Sequence, residues 1–175
     1  MRIIILLSLL ILSSACAQNS EPNVNSERIE ALEAELRSKE RMDTTIGNAL
    51  IKEYDVFVAA HPKDSMAAVY LFKKAEVLKA TNGKENEAID AYKAVYQNYA
   101  YHQKGAESML ALALFYEEMR SKDLAAATYQ KFIDTYPSNA LADNARQLLD
   151  LLDNTVEIEI QMVQKWKEEA KNSEK

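Results

Sequence analysis

Glycine and proline are scarce, three of each in 175 residues. Tight hairpins draw on glycine and flexible chains on both, so sandwiches, barrels, collagen-like chains and disordered chains are excluded. Cysteine occurs once, at Cys16, so no disulfide can form within one chain. Histidine occurs twice, at His61 and His102, far apart and without the partner one helical turn away that a helical zinc site needs. His61 sits where it would complement a helix C-terminus. The sequence has no glycine-rich phosphate loop, no Gly-x-Ser-x-Gly and no Cys-x-x-Cys. The adjacent carboxylates Glu117 and Glu118 would point to different sides of a helix rather than form an acid and base pair. No catalysis, metal or cofactor is expected. Basic residues are outnumbered, 21 against 27 acidic, and no basic run exceeds two residues, so a chain of net charge −6 would repel nucleic acid. With 48% apolar residues, what remains is an all-helical protein with one domain's worth of core.

The start of the chain reads differently from the rest. Arg2 supplies a positive charge, Ile3 to Leu12 is apolar except for Ser8, and Ser13, Ser14 and Ala15 follow. This is the pattern of an export signal. Its ten or so apolar residues span about 15 Å as a helix, half of a bilayer core, too short for a lasting span. Ser13-Ser14-Ala15-Cys16 resembles the lipobox of bacterial lipoproteins, with Ser13 where that family prefers Leu. The resemblance implies a signal peptide over 1–15, lipidation of Cys16, and a tether over 16–25 that carries Pro22. It also implies a lipid-anchored protein that faces the periplasm, with the outer membrane as the expected site. The same residues support a second reading: Ala15-Cys16-Ala17 fits ordinary signal peptidase, with cleavage before Gln18 and release of a soluble periplasmic protein.

Beyond the tether, Ser26 is expected to cap a helix that runs to about Met42, with Ile29, Leu32 and Leu36 on one face. Two roles are open to it: packing on the next helix, or self-association through residues 27–41, which would make the protein a structural oligomer. A second helix is expected over Ile46 to Ala60, stopped by His61-Pro62. The chain then repeats itself. Ala75, Ala88, Tyr92, Val95 and Tyr99 recur 37 or 38 places later as Ala113, Ala125, Tyr129, Phe132 and Tyr136. Leu50, Tyr54, Phe57 and Pro62 match the second half of the pattern, and Ala142, Ala145, Leu148, Leu149 and Leu152 match its first half. In the last segment Ile160, Val163, Trp166 and Ala170 lie at helical spacing, which predicts a closing helix anchored by Trp166.

These spacings resemble the tetratricopeptide repeat, in which small residues sit where two helices cross and an aromatic residue follows one turn later. The resemblance implies a right-handed solenoid of about four antiparallel helix pairs. The pairs are expected over 26–62, 63–102, 103–139 and 140–171, the last a C-terminal cap. A lipobox-like start followed by such pairs is similar to envelope repeat lipoproteins of the outer-membrane assembly and Tol–Pal cell-division coordinator type. That similarity implies a non-catalytic adaptor that binds envelope proteins or peptides on its concave face. In the repeat frame, Phe72, Lys73, Glu76 and Lys79 fall on that face, with Leu110, Leu114 and Glu117 from the next repeat and Asp143, Arg146 and Asp150 from the last. Phe72, Leu110 and Leu114 would equally serve as core. Tyr96, Tyr99 and Tyr101 form a second, amphipathic cluster. If Cys16 carries the anchor, metabolic palmitate labelling of the chain disappears in Cys16→Ala; labelling that persists refutes the lipid reading of this residue.

Overall fold

The computed structural model describes residues 24–173, with side chains over 26–167. The export segment, Cys16 and most of the tether lie outside the described residues. Seven helices and no strand occur among the described residues: α1 (Val24–Arg37), α2 (Thr44–Ala60), α3 (Ser65–Lys79), α4 (Glu85–Asn98), α5 (Gln103–Glu118), α6 (Lys122–Thr135) and α7 (Ala142–Ser173). Each packs on its neighbour in sequence, and α3 also touches α5. The result is a solenoid of three helix pairs closed by a long final helix. No helix among the described residues is long and apolar enough to cross a bilayer.

The positions singled out by the repeat spacing hold the pairs together. Ala75, Ala88, Ala113 and Ala125 are fully buried, as are Tyr92, Tyr129, Val95 and Phe132, and Leu50, Tyr54 and Phe57 are buried at the equivalent places of the first pair. A methyl side chain at a crossing lets two helices approach until their ridges interdigitate, and the aromatic ring fills the space one turn away. Local chemistry sets the helix ends. Asp43 accepts from the N–H groups of Thr45 (2.9 Å) and Ile46 (3.1 Å), Asp64 from Met66, and the His102 ring nitrogen Nδ1 from Lys104 (3.0 Å). His61 ends α2 and its ring lies 5.0 Å from Phe57. Gly83 and Arg120, 37 places apart, both adopt a left-handed backbone after the first helix of their pair. Arg120 takes this conformation without glycine's freedom because Ser121 and Arg120 N–H groups bond the Tyr116 and Glu117 carbonyls, closing α5.

Successive pairs are joined by a second tyrosine series. The Tyr99 hydroxyl donates to the Pro62 carbonyl (3.0 Å), and the Tyr136 hydroxyl to the Ala100 carbonyl (3.1 Å). The connection therefore uses a backbone oxygen, and alanine serves at residue 100 as well as proline does at residue 62.

Four expectations need correction. The first helix begins before Ser26, which lies inside it, and stops at Arg37 rather than Met42. Its apolar face ends at Leu36, and Asp43 is committed to capping α2, which fixes the intervening residues as a connection. That face is also occupied: Ile29 is fully buried, and Leu32 and Leu36 pack with it against α2 and α3. Self-association through 27–41 would have to pull α1 off its neighbour. At the other end, 140–171 is one helix, α7, instead of a pair, because the stretch contains no glycine or proline to end it. Trp166 does not anchor it: the ring is 63% exposed.

Two substitutions test this packing. Ala125→Leu overfills a helix crossing and should cost about 1–3 kcal/mol in thermal or denaturant unfolding. Gly105→Ala should cost as much, since a Cβ there would stand 2.5 Å from the Tyr99 carbonyl oxygen, backbone that cannot swing aside.

Candidate functional site

First helices of the pairs form the inner row of a curved stack, and the α3–α5 contact identifies that row here. Between α1 and α3 it holds a recess of about 260 Å³, lined by Glu33, Leu36, Arg37, Tyr54, Lys73 and Glu76 among others. Glu33 organises it. Its carboxylate accepts from Lys73 Nζ (2.7 and 2.9 Å), from the Tyr54 hydroxyl (2.8 Å) and from Arg37 (3.3 Å). Burial pushes the Glu33 carboxyl up, but the bonds from Lys73 and Tyr54, the Lys73 charge and Arg37 outweigh it and hold it below the usual carboxylate value.

The same device recurs in every pair. The Tyr92 hydroxyl donates to Glu76 and the Tyr129 hydroxyl to Glu117, as Tyr54 does to Glu33. Burial, then the acceptor's bond and negative charge, drive all three phenols far above their ordinary value. Buried ring, carboxylate and the hydrogen bond between them turn three core residues into fixed points of the inner face.

Two of the nominated α3 residues, Phe72 and Lys79, meet α5 through side chains outside the nominated set. Lys79 pairs with Glu118 (2.7 Å) and lies 5.4 Å from the centre of the Phe115 ring. Lys104, paired with Glu107, sits 4.5 Å above Phe72, which meets Tyr92 edge-on at 6.0 Å. Phe72 and Leu110 are half-buried against the core, whereas Leu114 is exposed. Asp143 and Arg146 pair with each other on α7 (2.5 Å), and Asp150 is exposed on the same helix, which packs on α6. Of the tyrosine cluster, Tyr101 is fully exposed, Tyr96 lies under Lys131 (4.7 Å), and Tyr99 is spent on Pro62. Sequence reasoning missed Glu33, Arg37 and Lys104. A signal existed for Glu33: Tyr54 occupies the place of Tyr92, so the helix before it must supply the acceptor.

Chemically, this face combines acid and base pairs, Glu33 with Lys73, Glu107 with Lys104 and Glu118 with Lys79, and two carboxylates held by tyrosine, Glu76 and Glu117, with aromatic and aliphatic surface between them. No group of three His, Cys, Asp or Glu residues that could hold a metal ion occurs among the described residues. The family model for the tetratricopeptide repeat matches residues 70–100 and 107–139. These two segments are tetratricopeptide repeats. Their matched spans begin within α3 and α5 and run through α4 and α6, and the α1–α2 pair, outside the match, repeats the same buried tyrosine and acceptor. Repeats of this kind form a non-catalytic scaffold that binds protein partners. A comparison with curated proteins finds no match.

The tyrosine and glutamate pairs set the pH limits of the fold. A carboxyl held low in the folded state contributes stability above its unfolded value, 4.5 for Glu33, and loses it as pH falls through the folded value. Phenols held high contribute below their unfolded value of 10.0 and lose stability as pH rises beyond it. Melting temperature should therefore be flat between about pH 5 and 9 and fall on both sides. Glu33→Gln should flatten the acid limb, as read by circular dichroism.

Proposed function

We propose that the protein is an adaptor of the bacterial cell envelope, held at the membrane by lipid on Cys16 and gripping a segment of a partner protein on its inner face. The observation that carries the reading is the Glu33–Lys73–Tyr54 recess, continued along α3 and α5 by Phe72, Lys79, Leu114 and Glu118. A peptide can exchange its own charges into ion pairs that are already desolvated on one side, while an apolar residue covers Leu114 and the Phe72 edge. Such a surface favours a segment of alternating charge over a purely acidic or basic one, because either would leave half of the row without a partner. Outer-membrane assembly and envelope or division coordination are the processes that suit the lipobox-like start, and anchoring would place the stack in the periplasm.

The test is photo-crosslinking in cells from residues 72 and 114, with Asp90 of α4 as the outward control. The same envelope protein should be captured from both inner positions and not from position 90. Lys73→Glu together with Leu114→Ala should reduce capture at least tenfold. Equal capture from position 90, or capture that the double variant leaves unchanged, defeats the proposal.

A further inference from the structure

The corner that joins one helix pair to the next is built the same way at 61–64, 99–102 and 136–139. In each, the N–H of the fourth residue bonds the carbonyl of the first, and the fourth side chain then caps the following helix: Asp64, His102 and Asn139. The third residue has no task in this arrangement, and Lys63, Tyr101 and Ser138 all stand in water. Lysine and serine suit such a place, whereas tyrosine leaves a whole aromatic ring unburied. The cap of this corner is unusual too. Acidic and amide side chains are the preferred caps, as at Asp64 and Asn139, and histidine replaces them at His102. Where local choices depart from what a fold needs, function is the usual reason.

Tyr101 opens onto a cleft. Two recesses of about 280 and 510 Å³ meet at Gln103 and Asn139, and Tyr101, His102 and Tyr136 line the smaller one. The polar groups there keep capacity beyond their bonds within the chain. The Asn139 carbonyl oxygen accepts from the Leu141 N–H (2.9 Å), which leaves its NH2 group, and Gln103 donates its amide to Glu107 (2.7 Å), which leaves its carbonyl oxygen. His102 spends Nδ1 on the Lys104 N–H, so its neutral ring carries a proton on Nε2. The Tyr136 hydroxyl donates to Ala100 and has lone pairs to spare. Glu107 at the rim is neutralised by Lys104, so donors and acceptors are mixed without net charge.

We infer that this cleft binds a neutral saccharide, with one pyranose ring stacked on Tyr101. A sugar hydroxyl donates and accepts at once, and amide, imidazole and phenol groups side by side answer both needs. The C–H face of a pyranose is apolar, and covering it with one aromatic ring removes both surfaces from water. Other ligands fit less well. A phosphate or carboxylate offers acceptors alone and calls for a cation, and Lys104 is already committed to Glu107 and to the Phe72 ring. A protein partner engages an aromatic anchor within a ring of further packed contacts, but the remaining walls here are Ala100, Ala106, Ala140 and a half-buried Leu141. The site uses none of Phe72, Lys73 or Leu114, so it stands apart from the adaptor reading of the inner face.

Saturation-transfer NMR on the full chain, with cellotriose and tri-N-acetylchitotriose as neutral probes, tests the inference. Transfer to either sugar is expected, strongest at the protons on one face of a ring, the signature of stacking on an aromatic side chain. Tyr101→Ala should abolish it and Tyr101→Phe preserve it. Gln103→Ala should weaken binding roughly fivefold, the loss of one hydrogen bond. Both residues are exposed, so melting should be unchanged in every variant. Absence of transfer to both sugars, or transfer that Tyr101→Ala leaves intact, overturns the inference. So does photo-crosslinking from residue 101 in cells that captures a protein. Cross-linking from residues 72 and 114 reads the inner face and is indifferent to these results.

Discussion

Three buried phenol rings set the shape of this protein. Tyr54, Tyr92 and Tyr129 each fill the gap that two closely approached helices leave beside their crossing, and each carries a hydroxyl into that gap. A buried hydroxyl without an acceptor would cost about 1–3 kcal/mol, so the opposite helix must present one at that depth. Glu33, Glu76 and Glu117 do so. The requirement fixes the rotation of each first helix about its axis, because only one face can offer the carboxylate while alanine faces the crossing. Everything on the inner surface inherits that rotation: Lys73 falls beside Glu33, and Lys79 reaches Glu118 across the boundary between pairs. Core packing and surface charge are in this way one arrangement viewed from two sides.

The charges on the inner row are almost all satisfied internally, which decides what kind of binding surface it is. Exposed ion pairs contribute little to stability, commonly under about 1 kcal/mol, so their value lies elsewhere. A row of neutralised pairs repels no peptide at long range and rewards one whose own charges fall in register at short range. Specificity would come from spacing along the groove rather than from net attraction, and the aromatic edge at Phe72 supplies the apolar contact that charge alone would not.

How much of this was legible in the sequence follows from which signals are periodic. Alanine and tyrosine at intervals of 37 and 38 residues announced the crossings, because a crossing tolerates almost nothing else: Ala75, Ala88, Ala113, Ala125, Tyr92 and Tyr129 are buried, and Tyr99 and Tyr136 are half-buried between pairs. Glu76 and Glu117 were nominated as surface residues, yet their role as acceptors for the core was hidden, since one follows its alanine by one residue and the other by four. Helix rotation and side-chain length absorb that difference in space, and no linear pattern records it. The first helix was misjudged at both ends for a related reason: its serine resembled a cap, but Asp43, which caps the next helix, has the stronger geometry. Trp166 was read as the anchor of the closing helix from its helical spacing, when the deciding quantity was how far α6 extends beneath it.

The two ends of the stack are finished differently, and the difference has a physical consequence. A solenoid leaves an open face at each end, and a terminal helix must turn polar side chains outward to close it. At the first end α1 does this: Glu27, Arg28, Glu30 and Glu35 face solvent while Ile29 is buried, and Arg28 is tied to Glu53 of α2 at 2.6 Å. At the last end α7 begins in the same manner, with Asp143, Arg146 and Asp150 turned away from α6, and then outruns the surface it covers. Had the helix stopped near Glu159, where Lys122 receives it, the end would be closed. Past that point the helix exposes several large apolar side chains to water, a loss of about 25 cal/mol for every Å² that could have been covered. An isolated overhang of four turns would also fray, since helices of this length are marginal in water without a packing partner.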